Sequence, residues 1–440
     1  MRNLFAFTRY EWLVILAGWA GWGFDVFDAL LFNFVAPSCI PALLHLAPGS
    51  PAARSAAAFW TGTITSVLLV SWAAGGVLFG LLADRIGRKR ALFLTITLFA
   101  LGTGLCAAVA SLPQLIACRV LASLGIGGEW GIGAALIAET VAEARRVPAG
   151  VLMQSASPLG VMLAAAINYL VAGVWFAADP LHAWRYVFLA GLAPLPLALL
   201  VRVFLRESAP WEASRAARPA PRLRALFTPQ LRRATLSGTF VAVVGVLTWW
   251  ACNAFVPLLG ATLAAEEAAH RMLSAPATTL LIAAWQSQGS NAFNLGGLVG
   301  MLAAIPLSLW YGRRRLFVGY FCTSALAIGC TFGLPLPPQA RLWALGLVGA
   351  GAFGLFGALT YYLPELFPAR LRATGAGFCY NIGRVFAAAG PFVVGVVSAR
   401  SSGSSSALCA ILVWVALVPL AAALVTPRIT LETRGRPLPA

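Results

Sequence analysis

The segment "GFDVFDALLF" (23–32) sets two carboxylates, Asp25 and Asp28, one helical turn apart in an otherwise apolar stretch. Carboxylates so placed can carry protons or neutralise a buried cation. Arg119, Glu129 (within "GIGGEWGIG") and Arg384 are the other charges embedded in apolar runs. All three histidines, His45, His182 and His270, fall between such runs, so proton carriage rests on carboxylates. The eight cysteines are scattered without a C-x-x-C, which suggests neither a disulfide framework nor a metal site. There is no P-loop and no intact Gly-x-Gly-x-x-Gly in a strand–helix setting. No cofactor is expected, and the chain does not read as an enzyme.

The elements that must position these charges are membrane spans. The 440 residues are 60% hydrophobic and 10% charged, with mean hydropathy +0.84, whereas a soluble chain carries roughly a quarter charged residues. The apolar runs predict an all-α protein of twelve transmembrane helices, near 12–36, 59–82, 92–110, 113–139, 148–176, 184–205, 233–260, 291–311, 315–334, 342–364, 373–398 and 405–425. The net charge of +17 follows their topology. If the chain starts inside, one set of connections holds most of the basic residues. The opposite set holds only Arg54, Arg185, Arg271, Arg341 and Arg400. That asymmetry predicts cytoplasmic termini and a multi-pass plasma-membrane protein, a bacterial inner membrane being the expected home. The basic excess then orients the chain against the bilayer and calls for no nucleic acid. The first apolar run is long enough to stay as a span and lacks a cleavage signature. The outer connection 262–288 contains "LAAEEAAHRML", which predicts a surface helix.

Two stretches repeat. "GLLADRIGRKRAL" (80–92) is matched by "IPLSLWYGRRRLF" (305–317), and "AETVAEARRVPAG" (138–150) by "PELFPARLRATGA" (364–376), each about 225 residues on, as in a transporter built from two related halves. The expected domains are a six-helix bundle at 1–206, a cytoplasmic linker at 207–232 and a second six-helix bundle at 233–440. Asp25, Asp28, Arg119 and Arg384 lack charged counterparts at the repeat offset, so they are additions to one half rather than repeat scaffolding. A midplane site between the halves is the default location in such proteins.

At "GLLADRIGRKR", "RVLASLGIGGEWGIGAALIAE" and "YLPELFPARLRATGAGFCYNIGR" the chain resembles the major facilitator superfamily across its length, and within it the proton-coupled metabolite, sialate/lactate and aromatic-acid symporters, relatives of the sugar porters. Two departures stand out: Leu309 and Trp310 replace Asp84 and Arg85 in the second loop, and span 5 reads "QSASPLG". The resemblance implies the major facilitator fold, two pseudo-symmetric bundles and alternating access, with a small organic anion (a monocarboxylate, aromatic acid or sialate-like acid) and protons as the partners of an expected monomer. It also implies that Asp25 and Arg119 couple protons, that Gly383-Arg384 followed by Gly390-Pro391 belongs to the aromatic-acid pattern, and that Gln154 contacts substrate. Asp84, Arg85 and Arg88 become a cytoplasmic gate, with Glu139, Glu365 and Arg372 as partners.

Depth supports part of this. At 1.5 Å per residue, Asp25 rises about 20 Å from the cytoplasmic side and Arg119 descends about 10 Å from the other, so both reach a similar level of a core about 30 Å thick. An Asp25–Arg119 pair is expected, with a static ion pair as the alternative; Asp28 shares the proton or meets substrate. Glu129 reads equally as structural or proton-linked. Arg384, near the midplane, offers a planar fork to a carboxylate; its alternative is a permanent bond to Asp28 or Glu129. Asn381 and Tyr380 face Gln154 across the repeat, and Trp249, Trp250 and Asn253 form a candidate aromatic wall. A sugar or polyol porter and a non-transporting sensor are the competing readings.

Overall fold

The structure, a computed structural model, describes residues 4–47, 50–176, 179, 182–217, 223–253, 255–389 and 405–439. Regular structure among them is helical throughout. The long helices are α1 (Arg9–Leu43), α2 (Pro51–Ile86), α3 (Arg88–Leu105) and α4 (Leu112–Thr140), followed by α5 (Arg146–Gln154) and α6 (Ala156–Asn168), which form one span interrupted at Ser155. Two short helices, α7 (Ala183–Leu189) and α8 (Leu195–Phe204), complete the sixth span, and α9 (Ala209–Ala217) lies in the connector. Then come α10 (Arg232–Asn253), α11 (Val256–His270), α12 (Ala275–Gly333), α13 (Pro338–Ala352), α14 (Leu355–Glu365), α15 (Arg372–Ala387), α16 (Ser405–Leu412) and α17 (Leu417–Ile429).

Ten segments of the described residues are long and apolar enough to cross a bilayer. One of them, Leu280–Gly333, contains two of the expected spans, separated where Gly312 leaves helical geometry at φ 81°. Gly87 (φ 106°) does the same between α2 and α3. That left-handed region suits a residue without Cβ, which explains the glycine in both repeats. The span expected at 373–398 is described only to residue 389. Its outer part, with Gly390-Pro391 and Arg400, lies outside the described residues, as does 218–222 of the connector. Side chains such as Leu78, Leu199, Leu326 and Leu424 point outward and exposed; in a bilayer such groups face lipid.

The reading of 262–288 as a long connection with a surface helix is corrected. Leu263, Ala264 and Ala268 are buried on α11, α12 begins at Ala275, and the turn between them carries Met272 at φ 50°. The paired Glu267 and Arg271 (2.6 Å) disguised the end of a packed helix as surface. Helices before and after the connector meet along one interface, chiefly α15 against α2 and α4, and α14 against α5.

Candidate functional site

That interface encloses a cavity walled by Trp22, Trp72, Trp249, Trp250, Phe353, Phe356 and Tyr380. It extends past Asn33 and Thr65, toward the end of the molecule opposite the arginine-rich loops. Arg384, on α15, lines it and is buried. Its guanidinium carbon lies over two rings, 4.1 Å from the centroid of Trp72 and 4.4 Å from that of Tyr380. It also donates to Asn381 Oδ1. None of the ion pairs among the described residues involves it. Tyr380 in turn stacks on Trp130 at 3.9 Å and 16°. Two rings and the Asn381 oxygen restrain the guanidinium, whose remaining N–H groups could meet an anion.

The expected site residues divide. Gln154, Tyr380, Trp249 and Trp250 line the cavity. Asn381 does not: its amide nitrogen donates to Gly377 O (2.9 Å) and its oxygen holds Arg384, so it positions the guanidinium from behind. Asn253 also lies outside the lining. It is the last residue of α10, beyond the turn that carries Trp249 and Trp250.

The acid–arginine pairing expected for Asp25 is corrected as well. Arg119 Nη1 donates to Asp28 Oδ1 (2.9 Å) and to Thr103 Oγ1 (3.1 Å), while Nη2 donates to Asp28 O (3.1 Å). Thr103 Oγ1 donates to the same Asp28 oxygen (2.5 Å). Three residues of helix turn the side chain by roughly 60° and raise it about 4.5 Å, enough to give Arg119 to the higher acid. Asp25 faces Glu129 instead. The Glu129 carboxyl lies over Gly21, one turn below Asp25, so close that a Cβ there would sit 2.2 Å from Oε1. Both acids are fully buried, and neither accepts a hydrogen bond from an arginine among the described residues. Their carboxyls act on each other and, at longer range, on Asp28 and Arg384. Two like charges in contact away from water are costly, so this pair is a natural place for a proton.

The arginine-rich end is closed by a second cluster. Arg88 donates to Asp84 (2.7 Å) and through two nitrogens to Glu139 (2.9 and 3.1 Å), and Arg372 reaches Glu139 across the interface (2.8 Å). Asp84 accepts from the backbone N–H of Thr374 (2.8 Å) and Ala373 (3.4 Å), in the first turn of α15, where a carboxylate meets the positive end of the helix dipole. Arg85, in the last turn of α2, is exposed and takes no part in an ion pair among the described residues. Glu365 pairs with Arg313 (2.7 Å), the repeat counterpart of Arg88, so its bond stays within the second set of helices. With Leu309 in place of an aspartate, that loop makes no equivalent side-chain bond to the other half among the described residues.

Sequence reasoning missed Glu207, Ser208, Trp211, Arg313 and Glu432. Glu207 accepts from the backbone N–H of Arg88 (2.6 Å), and Glu432 from those of Arg313 (3.0 Å) and Arg314 (3.1 Å). These glutamates stand at the same repeat offset, a signal that was available. Burial works to raise the Glu432 carboxyl, but the N–H groups of Arg313, Arg434 and Arg314 outweigh it and hold the group below the usual range. Glu432 therefore stabilises the fold above the ordinary carboxylate range, and the contribution fades as pH falls through its lowered folded value. We expect Glu432→Gln to lower the melting temperature of the purified protein near neutrality. The gap from the parent should close on acidification; a gap independent of pH would refute the charge-based account.

A wider cleft between α3 and α7 opens toward the outer face of the bundle. Its one arginine, Arg185, is committed to the carbonyls of Ala107 and Val109 (2.7 and 2.8 Å), so it does not compete as a site.

A buried charged cavity between two sets of spans, closed at one end, defines a multi-pass membrane transporter of metabolites rather than an enzyme. The profile of the Major Facilitator Superfamily matches residues 18–391, and the chain belongs to that superfamily. It is 34% identical over 385 residues to a probable 4-methylmuconolactone transporter of Cupriavidus pinatubonensis, covering 87% of this chain and 82% of that one. It is 29% identical over 350 residues to the 3-(3-hydroxy-phenyl)propionate transporter of Escherichia coli, covering 79% and 80%. The fold is similar to that of the proton:xylose symporter XylE bound to 6-bromo-6-deoxy-D-glucose, with TM-score 0.69, 20% identity and 98% of both chains covered.

Proposed function

We propose that the protein imports a small, planar organic monocarboxylate together with protons, by alternating access of two bundles, 1–206 and 233–440, with the arginine-rich end cytoplasmic. The observation that carries this reading is Arg384, a buried guanidinium held against Trp72 and Tyr380 on the cavity wall with no ion-pair partner among the described residues. Its alternative partners are taken: Asp28 by Arg119, and Glu129 by its contact with Asp25. The flat aromatic walls favour a planar acid, and relatives named for aromatic and lactone metabolites fit that shape.

Charge balance supplies the proton. The membrane interior holds Asp25, Asp28 and Glu129 against Arg119 and Arg384. Bringing in an anion deepens the deficit unless a proton enters with it. In this reading Asp25 and Glu129 carry the proton, Asp28–Arg119 is a fixed brace, and Arg384 anchors the carboxylate while Gln154 and Tyr380 orient it. The cluster of Asp84, Arg88, Glu139 and Arg372 closes the cytoplasmic side and breaks when the halves rock. A neutral sugar or polyol brings no counter-charge for Arg384, which weighs against that reading.

The test is external pH in a lightly buffered suspension of energy-depleted cells expressing the protein. Addition of benzoate should alkalinise the medium, and Asp25→Asn should abolish the response. Labelled benzoate entering without a pH change would remove the proton from the proposal; labelled xylose entering while every acid stays silent would replace it with a facilitative sugar porter.

The closure makes its own prediction. Removing the Asp84 carboxylate (Asp84→Ala) strips the acceptor from the first turn of α15, so amide exchange at Ala373 and Thr374 should speed about tenfold or more. Unchanged protection there would mean that Asp84 does not hold the closure.

A further inference from the structure

The buried polar atoms of the cavity lining that lack a hydrogen-bond partner share one chemical polarity. Among the described residues, four lining residues carry a buried polar atom without a hydrogen-bond partner: Trp22 Nε1, Trp72 Nε1, Trp249 Nε1 and Gln154 Nε2. All four are N–H donors. An indole N–H cannot accept, so three of these are fixed by chemistry. The fourth is fixed by its neighbours. Gln154 Oε1 accepts from Trp130 Nε1 (2.9 Å) and from Thr360 Oγ1 (3.1 Å). Because the Trp130 indole can only donate, the amide oxygen must face it, and the amide NH2 is left for the cavity. Trp130 is itself clamped by its stack on Tyr380. The orientation of Gln154 is thus set by Trp130 and Thr360, neither of which lines the cavity.

A buried donor without an acceptor is costly, and a ligand that supplies the acceptor recovers that cost. A ligand group that can only donate gives these four donors no acceptor. The geometry points to a specificity rule: besides the carboxylate held by Arg384, this cavity selects ligands with hydrogen-bond acceptors on the ring or its edge, such as a pyridine nitrogen or a ring carbonyl, over ligands with bare rings or ring donors. The rule rests on the carboxylate reading above and narrows it.

The experiment is direct binding to purified full-length protein, read by tryptophan fluorescence at pH 7.5. The probes are pyridine-3-carboxylate and pyridine-4-carboxylate (ring acceptor), benzoate (neither) and pyrrole-3-carboxylate (ring donor). The expected order is pyridine acids over benzoate over pyrrole acid, with the better pyridine acid about tenfold tighter than benzoate. Gln154→Leu or Trp249→Phe, the latter keeping the ring and deleting the N–H, should narrow the pyridine-to-benzoate ratio to about threefold or less. Residual benzoate binding certifies that the variant is folded. Equal binding of all four probes, abolished by Arg384→Gln, would overturn the rule and leave the carboxylate reading standing, as would a full preference surviving in both variants. If no acid binds and Arg384→Gln changes nothing, both fall together.

Discussion

Arg384→Gln is expected to weaken carboxylate binding by about a hundredfold, the effect of deleting one partner of a desolvated charge pair, worth about 3 kcal/mol. The neutral amide of the same acid should lose far less, because it makes no charge-assisted bond. Arg384→Lys should recover only part of the loss. A lysine ammonium keeps the charge and can sit near the Trp72 and Tyr380 rings, but it is a point donor that cannot present two parallel N–H groups. The measurement is a titration of benzoate against benzamide on the parent and both variants. Full benzoate affinity in the glutamine variant would sink the anion anchor and return Arg384 to a packing role.

The second large effect separates the two acid clusters. Asp25→Asn and Glu129→Gln should each abolish accumulation of labelled benzoate against a gradient, a loss of about tenfold or more in the steady-state ratio, while exchange across the membrane under equal pH continues. Asp28→Asn should behave differently. It leaves the Arg119 guanidinium buried without its counter-charge, a loss on the order of 3–5 kcal/mol, so the expected outcome is poor folding and low yield. Pairing it with Arg119→Gln should restore part of the yield. If Asp25→Asn still accumulates substrate and a stable Asp28→Asn variant does not, the proton belongs to the Asp28–Arg119 pair and the assignment reverses.

This division could not have been read from the sequence. Hydropathy located the spans, and depth placed Asp25, Asp28 and Arg119 at one level, because rise along a helix is fixed by residue count. Choosing between two acids three residues apart requires knowing how α1 is rotated against α4, and that depends on packing along the whole length. Arg384 was legible as a cation in an apolar run. That it stands without a carboxylate was not, since Asp28 and Glu129 were both free to claim it on paper. Asn381 was misplaced although its i, i+3 relation to Arg384 was available, because a polar residue near a site reads as a ligand until its backbone partner is seen. The end of α11 was lost for the opposite reason: Glu266 and Glu267 made a packed helix look like surface. The repeat pairs Gly312 with Gly87 and, at the same offset, Glu432 with Glu207; that these glutamates reach the N-termini of distant helices from outside the spans is visible only in the folded chain.

One helix joins the two ends of this account. Asp84 grips α15 at Ala373 and Thr374, and ten residues on, about 15 Å along the same axis, the same helix presents Arg384. A rod clamped at its foot and loaded at its waist cannot respond to one without the other. On the proposed function, a change that tightens the foot also stiffens the seat of Arg384, so residence time of the cargo and dwell time of the closed gate should vary together across variants, as two readings of a single lever. Because the second loop offers no matching clamp, the lever has one fulcrum, and its wear would show first at Asp84.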